Sequence, residues 1–125
     1  MNIILTNTGD EPIYEQIKRQ VKGQILAGVL KEGDLLPSIR RLAAALQISV
    51  ITTKRAYDDL EREGFLETAV GRGTYVAHQG EELLHEKKLK LVEEPLAHAV
   101  RKAQELGVGQ KEVVAMLKLL FEEEA

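Results

Sequence analysis

Four cations, Arg40, Arg41, Lys54 and Arg55, fall within the run from Ser38 to Tyr57, which holds no acidic residue. Directly after it, Asp58, Asp59, Glu61 and Glu63 face a single cation, Arg62. Guanidinium and ammonium groups gathered in this way suit one kind of chemistry. They form charge-assisted hydrogen bonds to phosphate oxygens, and an arginine can also bond a guanine edge bidentately. On a helix, the order basic-then-acidic opposes the backbone dipole by about 0.3–1 kcal/mol per charge. Helix stability would not choose it, whereas a surface that meets phosphate with the front half of a helix would. The competing reading is a solvated face with Arg55 paired to Asp58 or Asp59; for the cluster as a whole we favour phosphate.

Other chemistry finds little support. His78, His85 and His98 lie 7 and 13 residues apart, with no i, i+4 pair and no carboxylates arranged around them. They read as solvated histidines rather than metal ligands. No nucleophile–base pair appears, and Gly71-Arg72-Gly73 is too short for a nucleotide-cradling loop and lacks the helix that would follow one. With no cysteine in the chain, disulfides and thiolate metal sites are excluded, which suits a reducing cytosol. The expectation is a protein that is not an enzyme and carries no cofactor or metal. The N-terminus has no basic region followed by an apolar run, and no stretch approaches the ~20 apolar residues of a membrane span. A soluble, cytoplasmic protein without a membrane partner is expected.

The elements that must position the cations follow from periodicity. Ile39, Leu42, Ala43 and Leu46 fall at i, i+3, i+4 and i+7 of a helix opening at Pro37-Ser38. Gln47-Ile48 leaves only a tight turn before Ser49 offers a second N-cap. The next helix places Thr53, Ala56, Tyr57 and Leu60 on one face and stops at Gly64. Two short helices so joined are the helix-turn-helix signature. Upstream, residues 1–11 read as an extended lead-in. Pro12 sits as a first helical residue, and Ile13, Ile17, Val21 and Ile25, with Tyr14 beside them, form a stripe ended by Gly28. Leu35-Leu36 can pair briefly as an edge strand. Downstream, residues 65–69 and 74–77 are β-prone runs around a Gly-rich turn. A lone two-stranded ribbon is marginal, so it must lean on the helices. Helix, helix-turn-helix, then hairpin is the order of a winged helix. Arg72 between two glycines fits a wing tip, an exposed turn with a solubilising Arg being the alternative.

The run Leu36-Pro37-Ser38-Ile39-Arg40, followed by Leu42-Ala43, Thr52–Tyr57, Leu60–Gly64 and Gly71-Arg72-Gly73-Thr74-Tyr75-Val76, strongly resembles the GntR family of bacterial transcription regulators. The resemblance covers roughly Pro12 to Ala77. It implies a winged-helix DNA-binding domain acting as a homodimer on a roughly palindromic operator of double-stranded DNA. It further implies that Arg40 reads a base, and that Ser49, Val50, Ile51, Thr52, Lys54, Arg72 and Gly73 meet base edges or phosphate. With Ser38 and Arg41 these complete the candidate DNA-contacting set. Many members carry Arg where this chain has Val50. A valine can meet a thymine methyl but cannot bond guanine bidentately, so base preference does not transfer at that position.

The tail narrows the subfamily. Residues 81–93 read as a helix with Leu83, Leu84, Leu89, Leu91 and Val92 as its apolar set, broken or kinked by Pro95. Leu96, Ala99, Val100, Ala103 and Leu106 then recur at helical spacing up to Gly107. Residues 110–124 carry Val113, Val114, Met116, Leu117, Leu119, Leu120 and Phe121, too many apolar side chains for a helix with one wet face. So small a tail cannot bury them alone, and an isologous dimer interface would. Leu96, Val100, Val113, Leu117, Leu120 and Phe121 are the candidate dimerisation residues. A ligand groove is the alternative use of these side chains. The short helical tail is similar to the YtrA-like subfamily, which implies dimerisation, no evident small-molecule effector site, and repression as the usual role. The expected fold is therefore mostly α with a small β-hairpin, a winged helix-turn-helix domain over 10–78 and an all-helical dimerisation tail over 79–125.

Charge is consistent with that division. The net charge of −3 lies wholly in the tail, since residues 1–78 carry ten Lys/Arg and ten Asp/Glu. Local field matters more to DNA binding than the overall balance. A neutral N-terminal part leaves one alternative open, a winged-helix protein-interaction module without sequence-specific DNA binding.

Overall fold

The structure, a computed structural model, describes residues 1–124. Helix α1 (Ile13–Leu26) buries Ile17, Val21 and Ile25 on the stripe that the periodicity predicts. It starts one residue later than expected. Pro12 is the N-cap, with φ −57° and ψ 152°, and the missing proline N–H costs nothing at that position. The lead-in is more than a tether. Gln16, Gln20 and Gln24, one helical turn apart, clasp the main chain of Thr6, Ile4 and Asn2 in turn. Each carboxamide accepts from one backbone N–H and donates to the carbonyl of the same residue, as a strand neighbour would. The spacings agree because four helical residues rise about 6.0 Å and two extended residues about 6.6 Å. Ile3 and Leu5, between the clasped residues, pack against the core.

Helices α2 (Ile39–Leu46) and α3 (Val50–Arg62) form the helix-turn-helix. Both predicted caps are present: Ser38 Oγ accepts from the Arg41 N–H at 3.2 Å and Ser49 Oγ from the Thr52 N–H at 3.1 Å. The turn between them rests on Gln47, held in the left-handed region at φ 57° and ψ 45°. A side chain in that region costs roughly 1–2 kcal/mol, and glycine returns part of the gain through its freer unfolded chain. Gln47→Gly is therefore expected to raise stability by about 0.5–1 kcal/mol in denaturant unfolding; a decrease would show that the Gln47 side chain stabilises the turn.

Thr53, Ala56, Tyr57 and Leu60 of α3 face the core with Leu42 of α2. The Tyr57 hydroxyl donates to the Pro37 carbonyl at 2.7 Å, tying α3 to the chain just ahead of α2, and burial raises its pKa far above the usual tyrosine value. Lys18 of α1, 12% exposed, bonds Asp59 at 3.2 Å and Glu63 at 2.9 Å, while Lys22 also pairs with Glu63 and Arg62 with Asp59. Burial opposes charge on Lys18, Asp59 and Glu63, and their mutual bonds outweigh it. Lys18 is thereby held above the usual lysine range and both carboxyls below theirs.

A carboxyl depressed by folding stabilises the fold above its unfolded pKa and loses that contribution as pH falls through the folded one. A raised lysine contributes fully below its unfolded pKa and fails only as pH rises beyond it. The network is thus whole at neutral pH and fails first on the acid side, below about 4. The expectation is that Glu63→Gln lowers Tm at pH 7 and that the difference shrinks as pH drops toward 2. A difference that stays constant over that range would remove Glu63 from the acid response.

Strands β1 (Leu66–Ala69) and β2 (Gly73–Val76) pair antiparallel with Leu66 opposite Val76 and Ala69 opposite Gly73. They lean on the helices through Leu66 and Val76, both about 1% exposed. The 33–36 segment lines the other edge of β2, with Leu35 bridging Tyr75 and three backbone bonds of 2.9 Å. The expected edge pairing of Leu35-Leu36 is thus present.

The described residues divide into two compact units, Met1–Glu81 and the chain from Glu82 onward. In the second, α4 (Glu81–Leu106) runs through Pro95, so of the two expected outcomes, break or kink, the break does not occur, and the helix ends before Gly107. Proline removes one helical N–H and displaces the carbonyl four residues back. Here both Pro95 and Leu91 are exposed, so solvent can meet the freed carbonyl. Helix α5 (Gln110–Glu124) follows. Every buried apolar side chain among the described residues lies between Ile17 and Ala77, and α4 buries none.

Candidate nucleic-acid interface

The first turn of α3 carries the predicted contact residues outward. Val50 is 48% exposed, Ile51 79%, and Thr52 half-buried with its hydroxyl accepting from Ser49 Oγ at 3.0 Å. Ser38 and Ser49 serve first as caps, so their hydroxyl oxygens are committed to the backbone. Lys54, exposed on the same face, is drawn to Asp58 at 2.6 Å. That i, i+4 bond occupies one of its three N–H donors and offsets its charge.

Arg40 and Arg41 project from the first turn of α2 and are exposed, and neither side chain has a bonding partner among the described residues. Arg55 does not pair with Asp58 or Asp59. Its guanidinium lies 3.7 Å from the centroid of the Tyr14 ring and donates to the Tyr14 hydroxyl at 3.0 Å. The chemistry on offer is therefore two free guanidiniums on α2, one oriented guanidinium on the flank of α3, and an apolar edge at Val50 and Ile51. Such an edge can meet a thymine methyl.

At the hairpin, Gly71 and Gly73 take positive φ of 80° and 95°, which side chains resist. Arg72 does not extend from the tip. It lies 3.9 Å from the centroid of the Tyr75 ring and donates to the Gly33 carbonyl at 3.2 Å. Tyr75 in turn donates its hydroxyl to Glu67 at 2.8 Å, a bond that raises its pKa. The fully exposed tip side chain is Val70, which nothing in the sequence pattern singles out.

The tail presents its own surface. Leu96, Val100, Val113 and Leu117 line an open groove between α4 and α5 of about 430 Å³. Leu120 and Phe121 are exposed, Phe121 at 76%. His78 bonds Glu32 at 2.8 Å, and no cluster of three metal-ligating side chains forms among the described residues. No helix among those residues is long and apolar enough to cross a membrane.

Comparison with known proteins places this geometry. Residues 13–76 match the profile of bacterial regulatory proteins of the gntR family. Over 107 residues, 86% of this chain and 82% of the relative, the sequence is 40% identical to the HTH-type transcriptional repressor YtrA of Bacillus subtilis (strain 168). Among solved structures, YtrA from Sulfolobus acidocaldarius, a GntR-family transcription factor, is similar with TM-score 0.58 and 29% identity over 98% of this chain and 97% of its own. The AraR DNA-binding domain in complex with operator ORX1 is similar with TM-score 0.54 and 25% identity, covering 62% of this chain and 96% of that one. The relatives are transcriptional regulators rather than enzymes. A winged helix with two unneutralised arginines on α2, ahead of α3, matched over the whole winged-helix region, fixes the assignment: the chain belongs to the GntR family, with the short helical tail of the YtrA type, and is a DNA-binding transcriptional regulator.

Proposed function

We propose that this regulator is a cytoplasmic repressor that binds a roughly palindromic operator as a homodimer. Residues 10–78 form the DNA-binding domain and residues 79–125 the dimerisation tail. The carrying observation is that, among the described residues, α4 and α5 bury no side chain of their own, although they expose Leu96, Val100, Leu119, Leu120 and Phe121. Exposed apolar surface of that extent is unfavourable by about 25 cal/mol per Å². A second copy laid symmetrically along the groove between α4 and α5 would cover it, through Leu96, Val100, Val113, Leu117, Leu120 and Phe121. We assign the groove to that copy rather than to a small-molecule effector.

On the DNA side, Arg40 reads a base edge, with Val50, Ile51 and Thr52 against the groove floor. Ser38, Arg41, Ser49, Lys54, Arg72 and Gly73 complete the contact surface through phosphate, side-chain or main-chain groups. Lys54 must exchange Asp58 for phosphate, and Arg72 must leave Gly33 to reach DNA. A homodimer sets two recognition helices about 34 Å apart, in successive major grooves. Repression is proposed from the 40% identity to the Bacillus subtilis repressor.

Selection of bound duplexes from random DNA, together with sedimentation equilibrium of the free protein, tests this reading. Two-fold symmetric sites with half-site centres about one helical turn apart, and a dimer in solution, are the expected results. Single asymmetric sites bound by a monomer would overturn it.

A further inference from the structure

The arginines of the first unit sort into two groups. Arg19 is paired with Glu11, and Arg62 with Asp59. Arg40, Arg41, Arg55 and Arg72 have no carboxylate partner among the described residues. Along α1 and α3 the division is sharper still. Lys18, Arg19, Lys22, Lys54 and Arg62 each hold a carboxylate, which leaves Arg55 as the one cation of those two helices, among the described residues, that does not.

What Arg55 has instead is Tyr14. A carboxylate would both orient and neutralise a guanidinium. An aromatic face at 3.7 Å and a phenol oxygen at 3.0 Å orient it while leaving its positive charge and its other N–H donors available. Tyr14 can serve as a fixed support because its helix is held on two sides. The clasp of Gln16, Gln20 and Gln24 on residues 2–6 secures α1 to the N-terminal segment, and Lys18 and Lys22 fasten it to α3.

Arg55 stands at one edge of the outward face of α3. It lines a shallow concavity with Ile51, Lys54 and Asp58, and Ile51 lies between the two cations, with Lys54 on one side and Arg55, about 100° from Lys54, on the side toward α1. When a recognition helix enters a major groove, its outward face meets base edges and its flanks meet the phosphate walls. We propose that Arg55 grips a backbone phosphate at the flank of the recognition helix, and that Tyr14 is the positioning residue that presents its guanidinium. The inference rests on the DNA-binding reading. A similar arrangement recurs at the wing, where Arg72 lies 3.9 Å from the Tyr75 ring centroid.

The test titrates an operator duplex, obtained by the selection above, and a random duplex with the full chain over a salt series. Arg55→Ala is expected to weaken binding to both duplexes about tenfold. The slope of log K against log[salt] should fall by about 0.9 for each phosphate that is no longer neutralised. Arg55→Lys should restore most of the slope, because it keeps the charge. Tyr14→Leu, which removes ring and hydroxyl, is expected to weaken binding about fivefold, and Tyr14→Phe, which keeps the ring, by less. Both tyrosine effects should vanish in an Arg55→Ala background, since coupled residues are non-additive. Two outcomes overturn the proposal: Arg55→Ala with wild-type affinity and slope, or tyrosine effects of the same size with Arg55 present and absent, which would mark Tyr14 as packing only. Should the wild-type chain bind no duplex at low salt, the DNA-binding reading itself would fall, and this one with it.

Discussion

Arg40→Ala is expected to erase most of the discrimination between operator and random duplex while leaving the protein folded. The residue lies on the first turn of α2, exposed and without a side-chain partner among the described residues, so truncation removes no internal bond. Its position is nevertheless defined, because Ser38 caps α2 and Tyr57 ties the preceding Pro37 carbonyl to α3. A guanidinium on so fixed a stem is placed to bond a guanine edge bidentately, which is worth about 1–3 kcal/mol of discrimination. A homodimer makes that bond pair twice, so about 2–6 kcal/mol, or roughly 30-fold to 10⁴-fold in operator affinity, is at stake. Random duplex, which offers Arg40 only phosphate, should weaken far less. Arg40→Lys gives the sharper control, because it keeps the charge and lacks the planar fork. It should retain binding to random DNA and lose discrimination. Equal weakening on operator and random duplex for Arg40→Ala would take base reading away from this residue.

The parts of the fold that were legible in the sequence are those written in local chemistry. Ser38 and Ser49 announce two helix starts because a side-chain oxygen three residues ahead of a backbone N–H is a local device. Ile17, Val21, Thr53, Ala56, Tyr57 and Leu60 announce the core by helical spacing, and all are buried. The glycines around Arg72 announce the hairpin turn. The parts that were not legible depend on partners distant in the chain. Gln16, Gln20 and Gln24 stand at visible helical spacing. Their use as a ladder follows only once residues 2–6 are seen to lie extended beside them.

The cations divide in the same way. The sequence offered Asp58 or Asp59 to Arg55, but Asp58 goes to Lys54 at i, i+4, and Asp59 to Arg62 and Lys18. That leaves Arg55 to a tyrosine 41 residues earlier. Composition alone makes residues 1–78 electrically neutral, with ten charges of each sign. The fold resolves much of that apparent obstacle to DNA binding by setting Glu11, Glu15, Asp59 and Glu63 on Lys18, Arg19, Lys22 and Arg62, and by leaving Arg40, Arg41, Arg55 and Arg72 without a carboxylate, although Asp58 still holds Lys54. At Pro95 the local signal left break and kink both open, and the break is overridden within a long helix whose exposed side can be solvated.

Leu117→Glu is expected to convert the protein to a monomer and to reduce operator affinity by about 10²–10⁴-fold without unfolding the winged helix. Leu117 lies half-buried on α5 and lines the groove with Leu96, Val100 and Val113. In a symmetric interface the substitution appears twice, and each unpaired carboxylate in an apolar seam costs several kcal/mol. The DNA-binding consequence is a matter of effective concentration. A tethered second domain meets its half-site at roughly millimolar local concentration, which accounts for a 10²–10⁴-fold gain that vanishes when the tails part. Binding to a duplex carrying a single half-site should be nearly unchanged, because the first unit keeps its core, all of which lies between Ile17 and Ala77. Leu117→Met, which conserves volume at a cost below about 1.5 kcal/mol, should remain dimeric and bind as the parent does. Sedimentation equilibrium and parallel titrations of full-site and half-site duplexes measure all three effects. A Leu117→Glu protein that stays dimeric and keeps its operator affinity would move the dimer interface away from this groove.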